Sequence, residues 1–180
     1  YSKSGEQHQH QGNLIHLLQS AVGNGAYDLY KKYSSGINNL PPINLRDLLQ
    51  FKDKKNSINI DKVEPIDEIL KRFGSGSMSH GALSAEAHEA LAIGMNRIKG
   101  ASCSGEGGED AKRFKVLSNG DSANSRVKQI ASARFGVTVD YLNNANEIEI
   151  KMAQGAKPGE GGQLPGFKVT EEIARLRHST

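Results

Sequence analysis

Apolar residues recur every three or four positions in the first third of the chain, which is the spacing of one helix face. Short helices are predicted around Leu14 to Val22, Tyr27 to Tyr33 and Leu45 to Phe51. Pro41 and Pro42 interrupt this region, and a charged connector follows. We therefore expect residues 1–62 to form a mostly helical connecting segment and residues 63–180 to form a second unit.

A different rhythm begins at Phe73, where short strand-like runs are each followed by a polar loop. Strands are predicted over residues 73–77, 101–104 and 147–153, the last one alternating polar and apolar positions. A helix is predicted from Ala85 to about Lys99, capped by Ser84 and stopped by Gly100.

Two more helices complete the pattern. Asp121 or Ser122 can cap a helix that runs through Val127, Ile130 and Ala131 to Gly136, and Thr170 can cap a last helix. Strand–loop–helix repeated three times predicts parallel βα units. Doubly wound sheets and (β/α)8 barrels both place their sites at the carboxyl ends of the strands. Three units cannot close a barrel, so the rest of a barrel would lie beyond Thr180.

Composition excludes several classes of protein. The chain is 36% hydrophobic and 24% charged, and it contains no apolar run long enough for a membrane span. The net charge is +3, with scattered cations and little aromatic interleaving, which does not favour nucleic-acid binding. The single cysteine excludes an internal disulfide and fits a reducing compartment. A start at Tyr1 and an end within a polar run indicate a piece of a longer protein.

The segment 154–163 is the most informative part of the chain. It combines four glycines, a proline, a lysine, a glutamate and two glutamines directly after a predicted strand. Glycine costs a strand or helix interior about 0.5–1 kcal/mol relative to alanine, whereas a ligand-binding loop profits from close backbone approach. Gly-Glu-Gly-Gly occurs at 105–108 and again at 159–162. Neither copy matches a nucleotide-binding fingerprint, so the two loops either share a ligand or are unrelated.

Individual side chains each have a functional and a plain interpretation. Lys157 binds a carboxylate or phosphate, donates a proton, or is a solvated loop lysine. Arg177 clamps a carboxylate or is a helix-end cation. Cys103 is interpreted as a buried small residue rather than a nucleophile. No metal site is predicted, because the histidines near the N-terminus lack accompanying carboxylates or cysteines; these are His8, His10 and His16. His80 and His88 have no partner that the sequence identifies.

Several motifs resemble the synthase domain of glutamate synthases. They are Ser77–Gly81, Glu86–His88, Met95–Ile98, Ser104–Glu109, Lys128–Ser132, Arg134–Thr138 and, above all, Ile150–Gly166. The resemblance covers most of the chain from about Glu64 onward, and residues 4–49 resemble the segment that leads into that domain.

The resemblance implies the first part of a parallel (β/α)8 TIM-type barrel that binds FMN. Its implied reaction is the reductive synthesis of L-glutamate from 2-oxoglutarate and glutamine-derived ammonia, by way of 2-iminoglutarate. The implied partners are an amidotransferase domain of the same full-length chain and either a small NADPH-oxidising flavoprotein subunit or ferredoxin. A [3Fe-4S] cluster is also implied, with ligands outside this chain. The implied location is the bacterial cytoplasm, with the plastid stroma as the alternative.

The resemblance also bears on the electron donor. Ferredoxin-dependent members typically carry a long insertion between Gly-Glu-Gly-Gly-Glu and the following Asn-Gly-Asp run, whereas Glu109 and Asn119 are close together here. The ending 177–180 is likewise similar to the pyridine-nucleotide form, so the NADPH-dependent type is favoured. The run 119–125 is more similar to the ferredoxin form.

Roles follow for the residues that match the motifs. The resemblance implies flavin contacts for Met78, Ser79, Ser104 and Gln154. It assigns the substrate carboxylates to Lys157, Arg177 and the amide of Gln163. Glu106 would stabilise incoming ammonia or the iminium, with Glu160 or Glu109 as alternatives. A non-catalytic carboxylate- or phosphate-binding module is the second class of function, and a pure interaction domain is the third.

Overall fold

The computed structural model describes residues 5–6, 8–52, 56–152 and 164–178 of the chain. These residues divide into two compact units, Tyr1–Ser57 and Ile58–Thr180. The predicted domain boundary at residues 62 and 63 stays a prediction.

Two helices make up most of the first unit. Helix α1 spans Gly12–Asn24 and helix α2 spans Tyr27–Asn38. Gly25 ends α1 in the left-handed conformation at φ 60°, and the next amide, of Ala26, donates back to the Ala21 carbonyl at 2.9 Å. A short 3₁₀ turn follows at Leu45–Leu48, where a longer amphipathic helix was predicted.

The second unit is built on a parallel sheet of four strands. They are β1 (Gly74–Ser77), β2 (Ala101–Cys103), β3 (Val127–Ala131) and β4 (Glu147–Lys151), and they lie in the order of the chain. The unit also contains helices α3 (Ile66–Leu70), α4 (Ala85–Arg97), α5 (Val139–Asn143) and α6 (Glu171–Arg177), with 3₁₀ turns at Ile60–Lys62, Ala111–Phe114 and Gly166–Lys168. A sequential parallel order is how a TIM-type barrel begins. The barrel itself stays a prediction.

Helix α4 forms where the sequence predicts it. The Ser84 hydroxyl accepts a hydrogen bond from the amide of Ala87 at 3.3 Å, which caps the first turn. The predicted stop at Gly100 is displaced by one residue, because Lys99 takes the left-handed conformation at φ 61°. Helix α4 then packs on β1 and β2, as the crossover of a parallel βα unit does.

The predicted helix from residue 121 or 122 to Gly136 is wrong. Strand β3 occupies Val127–Ala131 and pairs in parallel with β4 from Val127↔Glu147 to Ala131↔Lys151. The apolar spacing fits a helix as well as a strand, but long-range pairing with both neighbouring strands decides the outcome. The sheet therefore has four strands in the described part of the chain, and the predicted third strand is the fourth.

Candidate active site

The carboxyl ends of the strands meet at one edge of the sheet, because all four strands run in the same direction. The loop after β1 begins at Met78, the loop after β2 begins at Ser104, and β4 ends at Lys151. An ion pair crosses this edge: the Glu106 carboxylate lies 2.5 Å from Nζ of Lys151. The two side chains are only 12% and 20% exposed, so the pair is largely shielded from water.

The loops after β1 and β2 interlock through glycine. Gly105 has a φ of 66°, and a Cβ at this position would lie 2.5 Å from the backbone nitrogen of Ser79. A Cβ on Gly107 would lie 2.8 Å from the carbonyl oxygen of His80. The glycines are thus required for the close approach of the two loops, and they hold Glu106 next to the Met78–His80 segment.

Ser104 belongs to the core of this arrangement rather than to its surface. Its side chain is fully buried, and its hydroxyl lies 2.6 Å from the phenol oxygen of Tyr141 and accepts a hydrogen bond from the amide of Gln129 at 3.0 Å. Its amide donates to the carbonyl of Val127 at 3.0 Å. Its hydroxyl and its amide thus fix the loop, and the predicted contact of Ser104 with a cofactor stays a prediction.

A buried ion network, made of Glu109, Arg113 and Lys128, anchors the far end of the same loop. Arg113 lies 2.9 Å from one carboxylate oxygen of Glu109, and Lys128 forms a short ion pair with the other. The exposed fractions of these side chains are 0% for Glu109, 4% for Arg113 and 0% for Lys128. Burial lowers the pKa of Lys128 and of Arg113, and the Glu109 carboxylate opposes both shifts.

Arg113 also closes a loop within the connection that joins β2 to β3. Its guanidinium donates two hydrogen bonds to the carbonyl of Ala123, at 2.9 and 2.7 Å. Residues 104–126, all of them described, contain no α-helix. The connection from β2 to β3 is therefore made by a loop with this ion network instead of by a crossover helix. Arg113 and Lys128 could not be identified from the sequence, nor could a partner for His88. The signal that the sequence offers is a lysine between Val127 and the apolar pair Ile130 and Ala131.

Arg177 is buried at the end of α6, with 8% of its surface exposed. Its Nη2 donates to the carbonyl of His80 at 3.1 Å, and its guanidinium lies 5.6 Å from the ring centre of Phe135. Its Nε is buried and has no hydrogen-bond partner among the described residues. Burial lowers the pKa of Arg177, and Glu106 opposes that shift. A solvated helix-end cation does not have these surroundings. The binding of a substrate carboxylate by Arg177 stays a prediction.

Three predicted site residues lie outside the described residues: Gln154, Lys157 and Gln163. The second Gly-Glu-Gly-Gly copy at 159–162 also lies there. Their roles stay predictions.

Cys103 lies on the sheet face that also carries Ser77, Gln129 and Glu149, which we call the polar sheet face. The Ser77 hydroxyl donates to the Cys103 sulfur at 3.1 Å and is 3.1 Å from a carboxylate oxygen of Glu149. Cys103 is buried, and this burial raises the pKa of its thiol. A thiol with a raised pKa is a poor nucleophile, which agrees with a structural role.

The polar groups of the described residues are compatible with a flavin. Three buried side-chain atoms lack a hydrogen-bond partner in the described part of the chain: Oγ of Ser102, Oε1 of Gln129 and Nε of Arg177. A flavin ring offers N–H and carbonyl groups to such an acceptor and such a donor. An iron–sulfur cluster does not fit this chain, because cluster ligands are cysteine thiolates and the sequence holds one cysteine.

Two further findings concern the described part of the chain alone. No group of three or more His, Cys, Asp or Glu side chains there has the geometry of a metal site. None of its helices combines the length and apolar character needed to cross a membrane.

The sheet order and the loops define a parallel α/β protein, and the candidate site lies at the carboxyl ends of its strands. A family model described as the conserved region in glutamate synthase matches residues 8–180. The chain therefore belongs to the glutamate synthase family.

Relatives with different electron donors are similar along the whole chain. It is 59% identical over 180 residues to the glutamate synthase [NADPH] large chain of Azospirillum brasilense, covering 100% of this chain and 12% of the relative. It is 52% identical over 195 residues to the ferredoxin-dependent glutamate synthase of Cyanidium caldarium, covering 98% of this chain and 13% of the relative. It is 51% identical over 182 residues to the glutamate synthase [NADH] of Schizosaccharomyces pombe, covering 100% of this chain and 9% of the relative. The chain thus spans only a small part of the length of these relatives.

Proposed function

We propose that this chain is part of a glutamate synthase that makes L-glutamate from 2-oxoglutarate and glutamine-derived ammonia through 2-iminoglutarate. Membership of the family supports this reaction. The structural observation that supports it is Arg177: this buried cation, whose Nε has no partner among the described residues, lies close enough to Glu106 for the two charges to interact. Such an edge suits a substrate that combines carboxylates with a positively charged reacting carbon.

The cofactor of this proposal is FMN, which would be held by Met78, Ser79, Ser104 and Gln154. When bound, a reduced flavin supplies the hydride that converts the imine to the amine. Ser79 is 9% exposed, so it would contact the flavin mainly through its backbone. Ser104 also fixes the loop that carries Glu106, through its hydrogen bonds to Tyr141 and Gln129.

Substrate binding is assigned to Lys157, Arg177 and Gln163. The two carboxylates of 2-oxoglutarate need cations, and an arginine can bind one of them through two parallel hydrogen bonds. The neighbouring amide of Gln163 would orient the keto acid. Hydride transfer needs the reacting atoms about 3–3.5 Å apart, so these three residues serve to position the substrate.

Glu106 is assigned the stabilisation of the iminium. Its carboxylate lies 2.5 Å from Nζ of Lys151 at the edge of the sheet, and a fixed negative group at that place would stabilise a positive species. Of the two alternatives, Glu109 is buried and already forms ion pairs with two cations, Arg113 and Lys128. Glu106 is therefore the better candidate, with Glu160 as the remaining alternative.

An electron donor of the NADPH-dependent type is favoured. Alignments with the two NADPH large chains, of Azospirillum brasilense and Bacillus subtilis, span 180 residues, whereas the one with the Cyanidium caldarium ferredoxin-dependent enzyme spans 195. That difference supports a missing insertion in this chain. The partners would then be a small NADPH-oxidising flavoprotein subunit and the amidotransferase domain of the full-length protein. The [3Fe-4S] cluster would be bound by cysteines elsewhere in that protein.

The proposed compartment is the bacterial cytoplasm, with the plastid stroma as the alternative. Bacterial relatives and a chloroplastic relative from Spinacia oleracea support these two locations.

The test uses the full-length protein. We expect a flavin absorption spectrum that bleaches on reduction and recovers when 2-oxoglutarate and an ammonia source are added together. A folded, colourless protein that does not take up FMN would instead support the carboxylate- or phosphate-binding module. Flavin that is reoxidised by ammonia alone, or not at all, would contradict glutamate synthesis.

A further inference from the structure

Two side chains bridge the ends of the loop from Ser104 to Glu109. His88, on α4, places Nε2 at 2.8 Å from the carbonyl oxygen of Ser104, and its Nδ1 contacts Nη1 of Arg113. The Nη2 of Arg113 then lies 2.9 Å from the carboxylate of Glu109. The loop and this His88–Arg113 bridge together form a closed ring.

The bridge is important because the backbone of this loop makes few hydrogen bonds. In the described structure, the backbone groups of residues 105–109 make no hydrogen bond to another backbone group, and the Gly105 carbonyl accepts one from the Ser104 hydroxyl at 2.9 Å. Three of these five residues are glycines, which have many alternative conformations. The anchors at the two ends of the loop therefore act together with the Lys151 ion pair to set the position of Glu106.

The partners of His88 also define its protonation state. A carbonyl oxygen only accepts, so Nε2 carries the hydrogen, and a guanidinium only donates, so Nδ1 must present a lone pair. His88 is 3% exposed. The groups that face it are Arg113, Glu109 and the ring of His80, stacked at 6.0 Å between ring centres.

We propose that His88 is a positioning residue of the synthase reaction. Its neutral ring keeps the loop that carries Glu106 in position, and its protonated ring does not. A proton on Nδ1 would oppose the Arg113 guanidinium and break the bridge. Burial, and secondarily Arg113, hold the pKa of His88 below its usual value of 6.5. Release of the loop is therefore expected only below pH 6.5. The catalytic part of this inference rests on the proposed role of Glu106.

A pair of variants of the full-length, flavin-loaded protein separates hydrogen bonding from size. In His88→Gln, the amide N–H can donate to Ser104 and the amide oxygen can accept from Arg113, but the side chain does not titrate. In His88→Leu both hydrogen bonds are lost while the volume is similar. We expect His88→Leu to lower kcat for glutamate synthesis about tenfold or more through misplacement of Glu106, and His88→Gln to restore most of it.

The pH profile supplies a readout that a purely structural role would not move. The wild-type protein should lose kcat below pH 6.5 through protonation of His88, and His88→Gln should lack this loss. If kcat of His88→Gln falls below pH 6.5 as much as kcat of the wild-type protein does, the proposal is overturned. This comparison does not require that His88→Leu folds.

Amide hydrogen exchange of the peptide 104–109 tests the bridge without any reference to catalysis. Exchange of the Ser104 amide, which donates to the Val127 carbonyl, should rise about tenfold or more in His88→Leu, because local opening then costs less free energy, and it should stay near wild type in His88→Gln. Unchanged exchange in His88→Leu would overturn the bridge itself. Faster exchange with wild-type glutamate synthesis would overturn the link to catalysis and the assignment of Glu106, while the flavin assay above still tests the overall reaction.

Discussion

The carboxylate of Glu106 lies 2.5 Å from Nζ of Lys151, so the loop after the second strand is tied to the end of the fourth. The intervening strand β3 contributes to the same edge without supplying either charge. The pair keeps a negative group at the place where the proposed substrate becomes positive.

Replacing Glu106 by glutamine should therefore lower glutamate synthesis about 100-fold, because preorganised charge is typically worth 10²–10³ in rate. Flavin content and release of ammonia from glutamine should remain. The measurement is the steady-state rate with 2-oxoglutarate and glutamine. Glu171→Gln, an exposed carboxylate on α6, is the control and should retain its rate. Equal rates for the two variants would remove Glu106 from the mechanism.

Lys157→Ala should lower glutamate synthesis at least tenfold, since one lost charged hydrogen bond costs about 1.5–3 kcal/mol. Flavin content and glutaminase chemistry should survive, and the apparent affinity for 2-oxoglutarate should fall. The exposed Lys115→Ala provides the matched control. If affinity and rate both stay at wild-type values in Lys157→Ala, that side chain is a solvated loop lysine.

The buried ion network predicts an order of stabilities. Glu109→Gln leaves two buried cations without a counter-charge and should cost about 3–5 kcal/mol. Lys128→Met leaves Glu109 paired with Arg113 and should cost less, and the double variant should be more stable than Glu109→Gln alone. The thermal release of flavin, followed by fluorescence, measures this order. If the double variant releases its flavin at a lower temperature than Glu109→Gln does, Lys128 contributes to stability through packing rather than through charge.

Gly105 and Gly120 form a matched pair, because both have a positive φ and differ in their surroundings. A Cβ at 105 meets the Ser79 backbone at 2.5 Å, whereas a Cβ at 120 has nothing within 4 Å. Gly120→Ala should cost only about 1–2 kcal/mol of backbone strain. Gly105→Ala should in addition separate the two loops and sharply reduce flavin retention. Flavin stoichiometry after gel filtration distinguishes them, and equal retention would mean that the loops do not hold the cofactor.

Local chemistry explains which parts of this fold were predictable. Helix α4 carries its own signals, with Ser84 at its start and apolar residues at helical spacing, so the sequence is sufficient to locate it. Strand β3 carries no such signal. Its identity depends on partners far along the chain, such as Glu149, which accepts a hydrogen bond from Gln129. Periodicity within a short window cannot contain that information.

The candidate site shows the same division. Glu106 is recognisable because a charged residue among glycines directly after a strand has few structural uses. Ser104, two residues earlier, gives no such indication. The orientation of its hydroxyl depends on Tyr141, which is 37 positions away in the chain and lies on α5.

The hydrogen bonds from Arg113 to Ala123 have an evolutionary consequence. They join the two ends of the loop formed by residues 114–122. Additional residues inserted into this loop would lengthen it without changing the position of the strands. Doubling the length of such a loop costs only about 0.6 kcal/mol of closure entropy. Residues could therefore be inserted into this loop or removed from it at little cost in stability, while the strands of the sheet stay in register.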